Sequence, residues 1–228
     1  ALGKSRIDFT EIASPQAFRS DPEMAWGFYG HRLNLYRSTV PHSGFGILLD
    51  WALMKSHGTF VYTSNVDGQF QRAGFSESQV HECHGSIHYL QCSESACGEV
   101  WSARDFYPEV DLVNCSLKSA LPRCPICQRI ARPNILMFGD CNWIPDRSDR
   151  QYEACQSWLR KPRHLVTIEL GAGLAVPTVR YFGEYQSAPM IRINVRDAES
   201  DTGNTISLAL GAEEALKQID ACMKGIQV

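Results

Sequence analysis

Two cysteine pairs restrict the folds open to this chain more than any other feature. Four residues separate Cys92 from Cys97, and two separate Cys124 from Cys127. Each pair suits a tight knuckle that directs two thiolates at one ion, and four sulfur ligands favour tetrahedral zinc. A filled ligand shell leaves no position for water, so the pattern predicts a structural metal rather than a catalytic one. Cys115 remains a competing ligand.

The paired cysteines lie in a segment, residues 87–130, that has little sustained apolar periodicity. A bound metal would supply the order that so small a core cannot, and we therefore expect an inserted zinc-ribbon module. A zinc-ribbon protein that only binds nucleic acid or another protein is an alternative. The acidic residues of the segment balance its basic ones, which leaves no basic stripe for phosphates and argues against nucleic acid as a partner.

The rest of the chain alternates between short apolar runs and helical patterns. This alternation predicts an α/β fold, a Rossmann-like parallel sheet with helices on both faces. The strands are expected at 59–62, 134–138, 165–170, 190–195 and 205–210, and the helices at 24–36, 41–58, 152–160, 177–185 and 212–224. The helix at 24–36 is expected to start from Asp21 as its cap and Pro22 at the first helical position. The expected domains are a helical module with a cofactor-loop remnant at 1–40, the Rossmann-like domain at 41–86 and 131–228, and the zinc-binding insert at 87–130.

Composition limits the surroundings and partners of the chain. The net charge of −3 gives no overall basic field for nonspecific nucleic-acid binding. The sequence has no apolar run long enough for a spanning helix, and we expect no membrane partner. An odd total of nine cysteines, four of them with metal spacing, indicates a reducing compartment, for which the cytoplasm is the prediction. The oligomeric state is not readable from the sequence.

Two stretches have the character of ligand sites. Asn65 and Asp67 follow the strand at 59–62, and polar groups at the carboxyl end of such a strand lie where α/β sheets bind ligands. The Asn-x-Asp-Gly sequence is also a good turn. A strand runs into Gly171-Ala172-Gly173 before a helix, which predicts an anion site built from backbone N–H groups, with a purely structural turn as the alternative.

Several motifs occur in the order and spacing found in sirtuins, the Sir2-like NAD-dependent protein deacylases. The resemblance extends from about Pro41 to Val228. The motifs are Thr63–Gly68, Cys83–Ser86, the two cysteine pairs, Arg132–Asp140 and Gly171–Pro177. The resemblance implies that acyl groups are removed from lysine side chains of a protein or peptide, with release of nicotinamide and O-acyl-ADP-ribose. It also implies NAD and zinc as cofactors.

The resemblance assigns roles to individual residues. His84 would be the general base, with His81 and His88 as weaker alternatives. The other catalytic residues would be Asn65 and Asp67. The cofactor would be bound by Ser64, Asn65, Val66, Asp67, Gly171, Ala172, Gly173 and Asn194. The metal ligands would be Cys92, Cys97, Cys124 and Cys127, and the substrate would be bound by Met137, Phe138, Gly139 and Val176.

The chain departs from the sirtuin pattern at several positions. Ser64 replaces a Gln, Ala172 and Gly173 replace two hydroxyl residues, and Asp140 replaces a Glu. The first glycine-rich phosphate loop of the family is absent, and we expect that residues are missing before Ala1. ADP-ribosyl transfer or NAD hydrolysis, and a catalytically silent zinc-ribbon protein, are the alternative functions.

Overall fold

A computed structural model of the chain describes residues 8–200 and 203–225, which fall into two compact units. The first contains residues 8–39, 65–69 and 82–151, and the second contains residues 40–64, 70–81, 152–200 and 203–225. The domain boundaries expected from the sequence stay a prediction.

The helices are α1 (Phe9–Ile12), α2 (Pro15–Ser20), α3 (Pro22–Ser38), α4 (Ser43–Leu53), α5 (Gln69–Arg72), α6 (Asp146–Leu159), α7 (Thr178–Tyr185) and α8 (Ala212–Gly225). The strands are β1 (Val61–Thr63), β2 (Val80–Glu82), β3 (Gly85–Cys92), β4 (Val100–Ser102), β5 (Val110–Asp111), β6 (Ser116–Leu117), β7 (Ala131–Ile135), β8 (Thr167–Leu170), β9 (Met190–Ile193) and β10 (Thr205–Leu208). Within the described ranges, no helix has both the length and the apolar character needed to span a bilayer.

The first unit is built on β3, which pairs antiparallel with β4 on one side and with β7 on the other. The sequence placed a strand at 134–138 in the parallel sheet, and that placement was wrong. The observed strand is Ala131–Ile135, and it returns the chain along β3 at the end of the cysteine-rich segment. An apolar run indicates a strand, but it does not indicate with which other strand of the chain that strand pairs.

Helix α3 closes the core of the first unit. Asp21 caps it by accepting a hydrogen bond from the N–H of Met24 at 2.9 Å, and Pro22 occupies its first turn, as the sequence predicted. Trp26 is fully buried and donates its indole N–H to the carbonyl of Ala131 at 2.9 Å. Gly27 lets the helix lie directly on the β5–β6 hairpin, since a Cβ there would stand 2.2 Å from a hairpin carbonyl oxygen.

The second unit contains a parallel sheet in the order β10-β9-β8. Side chains along each strand point alternately to the two faces of this sheet, and both faces are covered. Ile168, Leu170, Ile191 and Ile193 pack with α4 and α8, whereas Glu169 and Arg192 lie on the face covered by α7. Helices therefore cover both faces of a parallel sheet, and the predicted α/β class is confirmed.

A smaller cluster in the second unit surrounds β1 and the start of β2, which form a two-stranded sheet. Val61, Phe75 and Val80 are buried there against apolar side chains of α4. This packing holds the carboxyl end of β1, from which the chain continues into Ser64 and Asn65.

Candidate active site and metal centre

The four predicted metal ligands lie together in the first unit. The Sγ atoms of Cys92, Cys97, Cys124 and Cys127 are all within 4.8 Å of one another. The Cys92–Cys127 pair is 3.4 Å apart and the Cys97–Cys124 pair is 3.7 Å apart. A tetrahedral zinc ion with Zn–S bonds of about 2.3 Å requires sulfur separations of about 3.8 Å. The cluster is therefore compatible with zinc, as predicted.

Backbone hydrogen bonds shape both knuckles. The N–H of Cys97 donates to the carbonyl of Glu94 at 3.0 Å, and the N–H of Gln128 donates to the carbonyl of Cys124 at 3.0 Å. Gln128 has a φ of 62°, which turns the chain tightly after the second pair. Both pairs thus have the turn geometry that their spacing predicted.

The environments of the thiols differ. Burial raises the pKa of Cys92 to about 12, whereas the backbone N–H of Arg129 lowers the pKa of Cys127 to about 7. The competing ligand Cys115 is not part of the group. It is buried in the core under α3, at the turn of the β5–β6 hairpin.

His84 lies in the turn between β2 and β3. Gly85 makes this turn possible, because its φ is 77° and a Cβ would stand 2.1 Å from the carbonyl oxygen of Asn134. Within the described residues no hydrogen bond engages the half-buried ring of His84. Burial lowers the pKa of His84, which favours the neutral imidazole. The turn thus presents a neutral proton acceptor.

The segment that carries Asn65, Val66 and Asp67 runs beside β3. The carbonyl of Val66 accepts the N–H of Ile87 at 3.0 Å, and the carbonyl of Asp67 lies 2.9 Å from Nε2 of His88. His88 is therefore engaged in holding this segment. The carboxylate of Asp67 accepts the N–H of Gln69 at 3.0 Å, so the turn role that the sequence left open is observed. Asn65 is exposed.

The sequence did not reveal the residues that hold the turn of His84. The N–H of Glu82 donates to Oε1 of Gln151 at 3.1 Å, and the hydroxyl of Ser148 donates to the carbonyl of Glu82 at 3.0 Å. The guanidinium of Arg147 pairs with the carboxylate of Glu82. Three side chains from the first turns of α6 therefore clamp one residue of β2. The sequence predicted this helix only from residue 152, which left the clamp outside it.

The predicted substrate residues follow β7. Met137 is buried, Phe138 is 43% exposed, and Gly139 has a φ of 64°. The loop is anchored by the carboxylate of Asp140, which pairs with the buried guanidinium of Arg132 at 2.8 Å and accepts the N–H of Asn142 at 3.0 Å. Asp140, which stands where sirtuins have a Glu, therefore has a structural partner.

The glycine loop lies in the second unit, at the carboxyl ends of β8 and β9. The N–H of Gly171 donates to the carbonyl of Ile193, and the carbonyl of Ala172 accepts the side-chain N–H of Asn194 at 3.0 Å. Asn194 is buried, and its Oδ1 accepts the N–H of Arg196 and of Asp197. Its amide is therefore committed to holding two loops together.

The same loop has an unusual donor content. Within the described residues, none of the backbone N–H groups from Ala172 to Val176 donates to another backbone carbonyl. Helix α7 begins only at Thr178, so these donors precede the helix rather than belong to it. Successive unpartnered N–H groups at a loop with glycines suit an anion. This donor set fits a pyrophosphate.

A family model described as the Sir2 family matches residues 5–178 of the 228-residue chain. The chain belongs to the Sir2 family. A protein of Deinococcus radiodurans named NAD-dependent protein deacylase is 30% identical to it, over 91% of this chain and 78% of the relative. A Pyrococcus furiosus protein of the same name is 33% identical over 60% of this chain and 50% of the relative. The chain thus spans about half the length of the Pyrococcus protein that it matches.

Solved structures resemble this Sir2 family member in fold. A Sir2 homolog–NAD complex superimposes with a TM-score of 0.69 at 22% identity and covers 98% of this chain and 80% of its own. A second structure, described as the structural basis for sirtuin substrate affinity, has a TM-score of 0.69 at 19% identity. The match covers 98% of this chain and 89% of the other. At these identities the comparison concerns the fold alone.

The sequence did not predict one further feature of this Sir2 family member, a buried charged group beneath the glycine loop. Arg192 binds both carboxylate oxygens of Glu169, at 2.6 and 3.1 Å, and also contacts Glu184 at 2.7 Å. Arg180 donates to the carbonyls of Ala172 and of residue 197. The sequence offered one signal, since Glu169 and Arg192 interrupt otherwise apolar strands.

Proposed function

We propose that this chain is an NAD-dependent protein deacylase that removes acyl groups from lysine side chains and releases nicotinamide and O-acyl-ADP-ribose. The observation that carries the proposal is the turn of His84. The imidazole of His84, whose ring makes no hydrogen bond within the described residues and whose pKa burial lowers, follows a clamped strand end and precedes a glycine that no other residue can replace without a clash. Family membership supplies the reaction for which such a base is suited.

His84 would act as the general base. Its lowered pKa keeps the ring unprotonated at neutral pH, so Nε2 or Nδ1 is able to accept a proton from a ribose hydroxyl. The clamp on Glu82 and the backbone bond between His84 and Leu136 would limit movement of the turn. A base held in place in this way lowers the cost of orienting it for each turnover.

The cofactor would be bound by two groups of residues. The N–H groups from Ala172 to Val176 would bind the pyrophosphate, with Gly171 and Gly173 leaving room for its approach and Asn194 holding the loop. Ser64, Asn65, Val66 and Asp67 would bind the nicotinamide ribose. When bound, NAD supplies the nicotinamide leaving group and the ribose hydroxyls that accept the acyl group.

The substrate would be an acylated protein or peptide. Met137, Phe138, Gly139 and Val176 would bind it. Phe138 and Val176 are both exposed apolar side chains, which suits contact with an aliphatic lysine stem. The carbonyls of Met137 and Phe138 accept no other backbone N–H within the described residues, so they remain able to pair with an extended peptide.

Zinc would act structurally, because four thiolates fill its coordination shell. We also place the protein in the cytoplasm. The support for this is that no disulfide joins any of the nine cysteines, all of which lie in the described part of the chain, and that oxidation would destroy the proposed set of four metal ligands.

The test incubates the zinc-loaded protein with NAD and a panel of acyl-lysine peptides, and follows nicotinamide and O-acyl-ADP-ribose by mass spectrometry. We expect both products to appear together, only with peptide, and to be lost in His84→Ala. Free ADP-ribose without peptide would replace the proposal by NAD hydrolysis, and ADP-ribose attached to protein would replace it by ADP-ribosyl transfer. Absence of any product would favour a silent binding protein.

A further inference from the structure

A cavity of about 570 Å³ lies in the first unit, outside every site discussed above. It is bordered by α2, the start of α3, and the segments on either side of the second cysteine knuckle. Its size is within the range of small-molecule sites in proteins, about 300–1,000 Å³. None of the residues proposed for catalysis, cofactor binding, metal binding or substrate binding lines it.

The inner wall of the cavity is apolar and rigid. Pro15 and Phe18 are buried, and Ile130, which also lines the cavity, is half-buried. The ring of Phe18 stacks on Tyr29 with a centroid distance of 5.6 Å and meets the edge of Trp26 at 5.7 Å. Because these rings belong to the main core, the wall keeps its shape without a ligand.

The rim of the cavity carries three exposed arginines, each partly held by a neighbour. Nε of Arg19 donates to Gln16 at 3.0 Å, and Nη1 of Arg123 donates to the carbonyl of Gln128 at 2.9 Å. The third, Arg129, lies 3.7 Å from a carboxylate oxygen of Glu94. A guanidinium has five N–H donors, so each still has donors for a ligand while its orientation is restricted.

The charge at the cavity is positive although the chain as a whole is negative. A fourth arginine, Arg132, is buried and neutralised by Asp140. Glu94 is the acidic residue of the lining, and its pair with Arg129 is exposed on both sides, which makes it weak. Arg19 and Arg123 have no carboxylate partner within the described residues. Guanidinium groups without a carboxylate partner, lining the same cavity as apolar side chains, are complementary to an anion carried on an apolar group.

We propose that this cavity binds a small amphipathic anion, a carboxylate or a phosphate monoester carried on an aromatic or aliphatic group. The apolar part contacts Phe18 and Ile130, and the anionic part accepts N–H donors from Arg19 and Arg123. Arginine suits this role because its planar fork pairs with two oxygens of a carboxylate or phosphate at once. The site is independent of the proposed deacylase activity.

The experiment measures binding of phenyl phosphate to the zinc-loaded full chain by calorimetry, with inorganic phosphate and benzyl alcohol as partial probes. We expect phenyl phosphate to bind at least about tenfold more tightly than either probe, since each provides only half of the contacts. Arg19→Glu and Arg123→Glu should each weaken phenyl phosphate binding by about tenfold or more. Both side chains are exposed, so folding should persist, and zinc content and circular dichroism verify it.

Arg150→Glu is the matched control, because Arg150 is an exposed arginine of the same unit that does not line the cavity. It should leave binding of phenyl phosphate unchanged. Equal binding by wild type, Arg19→Glu and Arg123→Glu would overturn the proposal. So would phenyl phosphate binding no tighter than inorganic phosphate, which would reduce the site to general charge attraction. The experiment measures binding and not deacylase activity, so its result does not depend on whether the proposed function is correct.

Discussion

The backbone N–H of Leu136 donates to the carbonyl of His84 at 2.9 Å, across the end of the antiparallel pair β3 and β7. This bond connects the turn of the proposed base to the loop of the proposed substrate residues, Met137 to Gly139. Because both lie in the first unit, their relative position is set by one sheet. A change that displaces the turn is therefore expected to displace the loop as well.

His84→Ala is expected to lower turnover by at least ~10²-fold, the usual loss on removing a general base. The half-buried ring makes no hydrogen bond within the described residues, so folding should be retained. Nicotinamide release with a saturating acyl-peptide measures the effect. The control is His31→Ala, an exposed histidine of α3. A normal rate in His84→Ala would transfer the role of base to another residue.

The pH dependence follows from the direction of the His84 shift. Burial lowers the pKa of His84 below its usual value near 6.5, and the neutral ring is the form that accepts a proton. We expect kcat/KM to hold as the pH falls to about 6.5 and to decline only below it. The free energy of unfolding is expected to change with pH in the same direction as kcat/KM. The unfolded chain binds this proton more readily, so His84 lowers the free energy of unfolding as the pH falls through that range. A decline in kcat/KM centred above pH ~6.5 would contradict the assignment of His84 as the base.

Gly85→Ala should destabilise the first unit by about 2–5 kcal/mol. The added Cβ would stand 2.1 Å from the carbonyl oxygen of Asn134, and the φ of 77° is unfavourable for alanine. Gly98→Ala is the matched control, since Gly98 has a φ of 68° with open space around it and should cost about 1–2 kcal/mol. Urea unfolding of both variants measures the difference. Equal losses would mean that the close approach to β7 is not present.

Cys124→Ser should remove zinc and destabilise the protein strongly. Structural zinc sites contribute about 10–16 kcal/mol of apparent binding free energy in small peptides, and Cys124 is a buried member of the group. Cys222→Ser, at an exposed position of α8, should be close to neutral. Metal analysis and melting temperature decide between them. Full zinc occupancy in Cys124→Ser would remove this residue from the ligand set.

Arg147→Met should cost about 3–5 kcal/mol, because it leaves the carboxylate of Glu82 buried without its partner. The double variant Glu82→Leu, Arg147→Met carries no buried charge and should recover most of that loss. Urea unfolding of wild type, both single variants and the double variant forms the cycle. Additive losses would show that the two side chains do not interact.

The same substitution should affect activity. We expect Arg147→Met to lower kcat more than it raises KM for the peptide, since it loosens the turn of His84.

The sequence anticipated the features that have local causes. Asp21 and Pro22 predicted the start of α3, the spacing of the cysteines predicted the metal cluster, and apolar runs located β8, β9 and β10 to within a few residues. It did not anticipate features that depend on long-range pairing. The placement of β7 against β3 and the contact of Arg147 with Glu82 join residues tens of positions apart. The pattern of one segment does not indicate which distant segment it will contact.

Strand β3 begins immediately after His84 and ends at Cys92, so one eight-residue strand connects the proposed base to a proposed metal ligand. Its pairing with β7 shifts register between Ser86 and Leu90 and is regular from Leu90 to Cys92. Successive side chains along a strand point to opposite faces. Deleting one residue from the regularly paired part, Leu90 to Cys92, would reverse the facing of Cys92 relative to its three partners. The loop between Cys97 and Cys124 could be lengthened without that effect. Length variation among related chains should therefore lie in that loop rather than in the last three residues of β3.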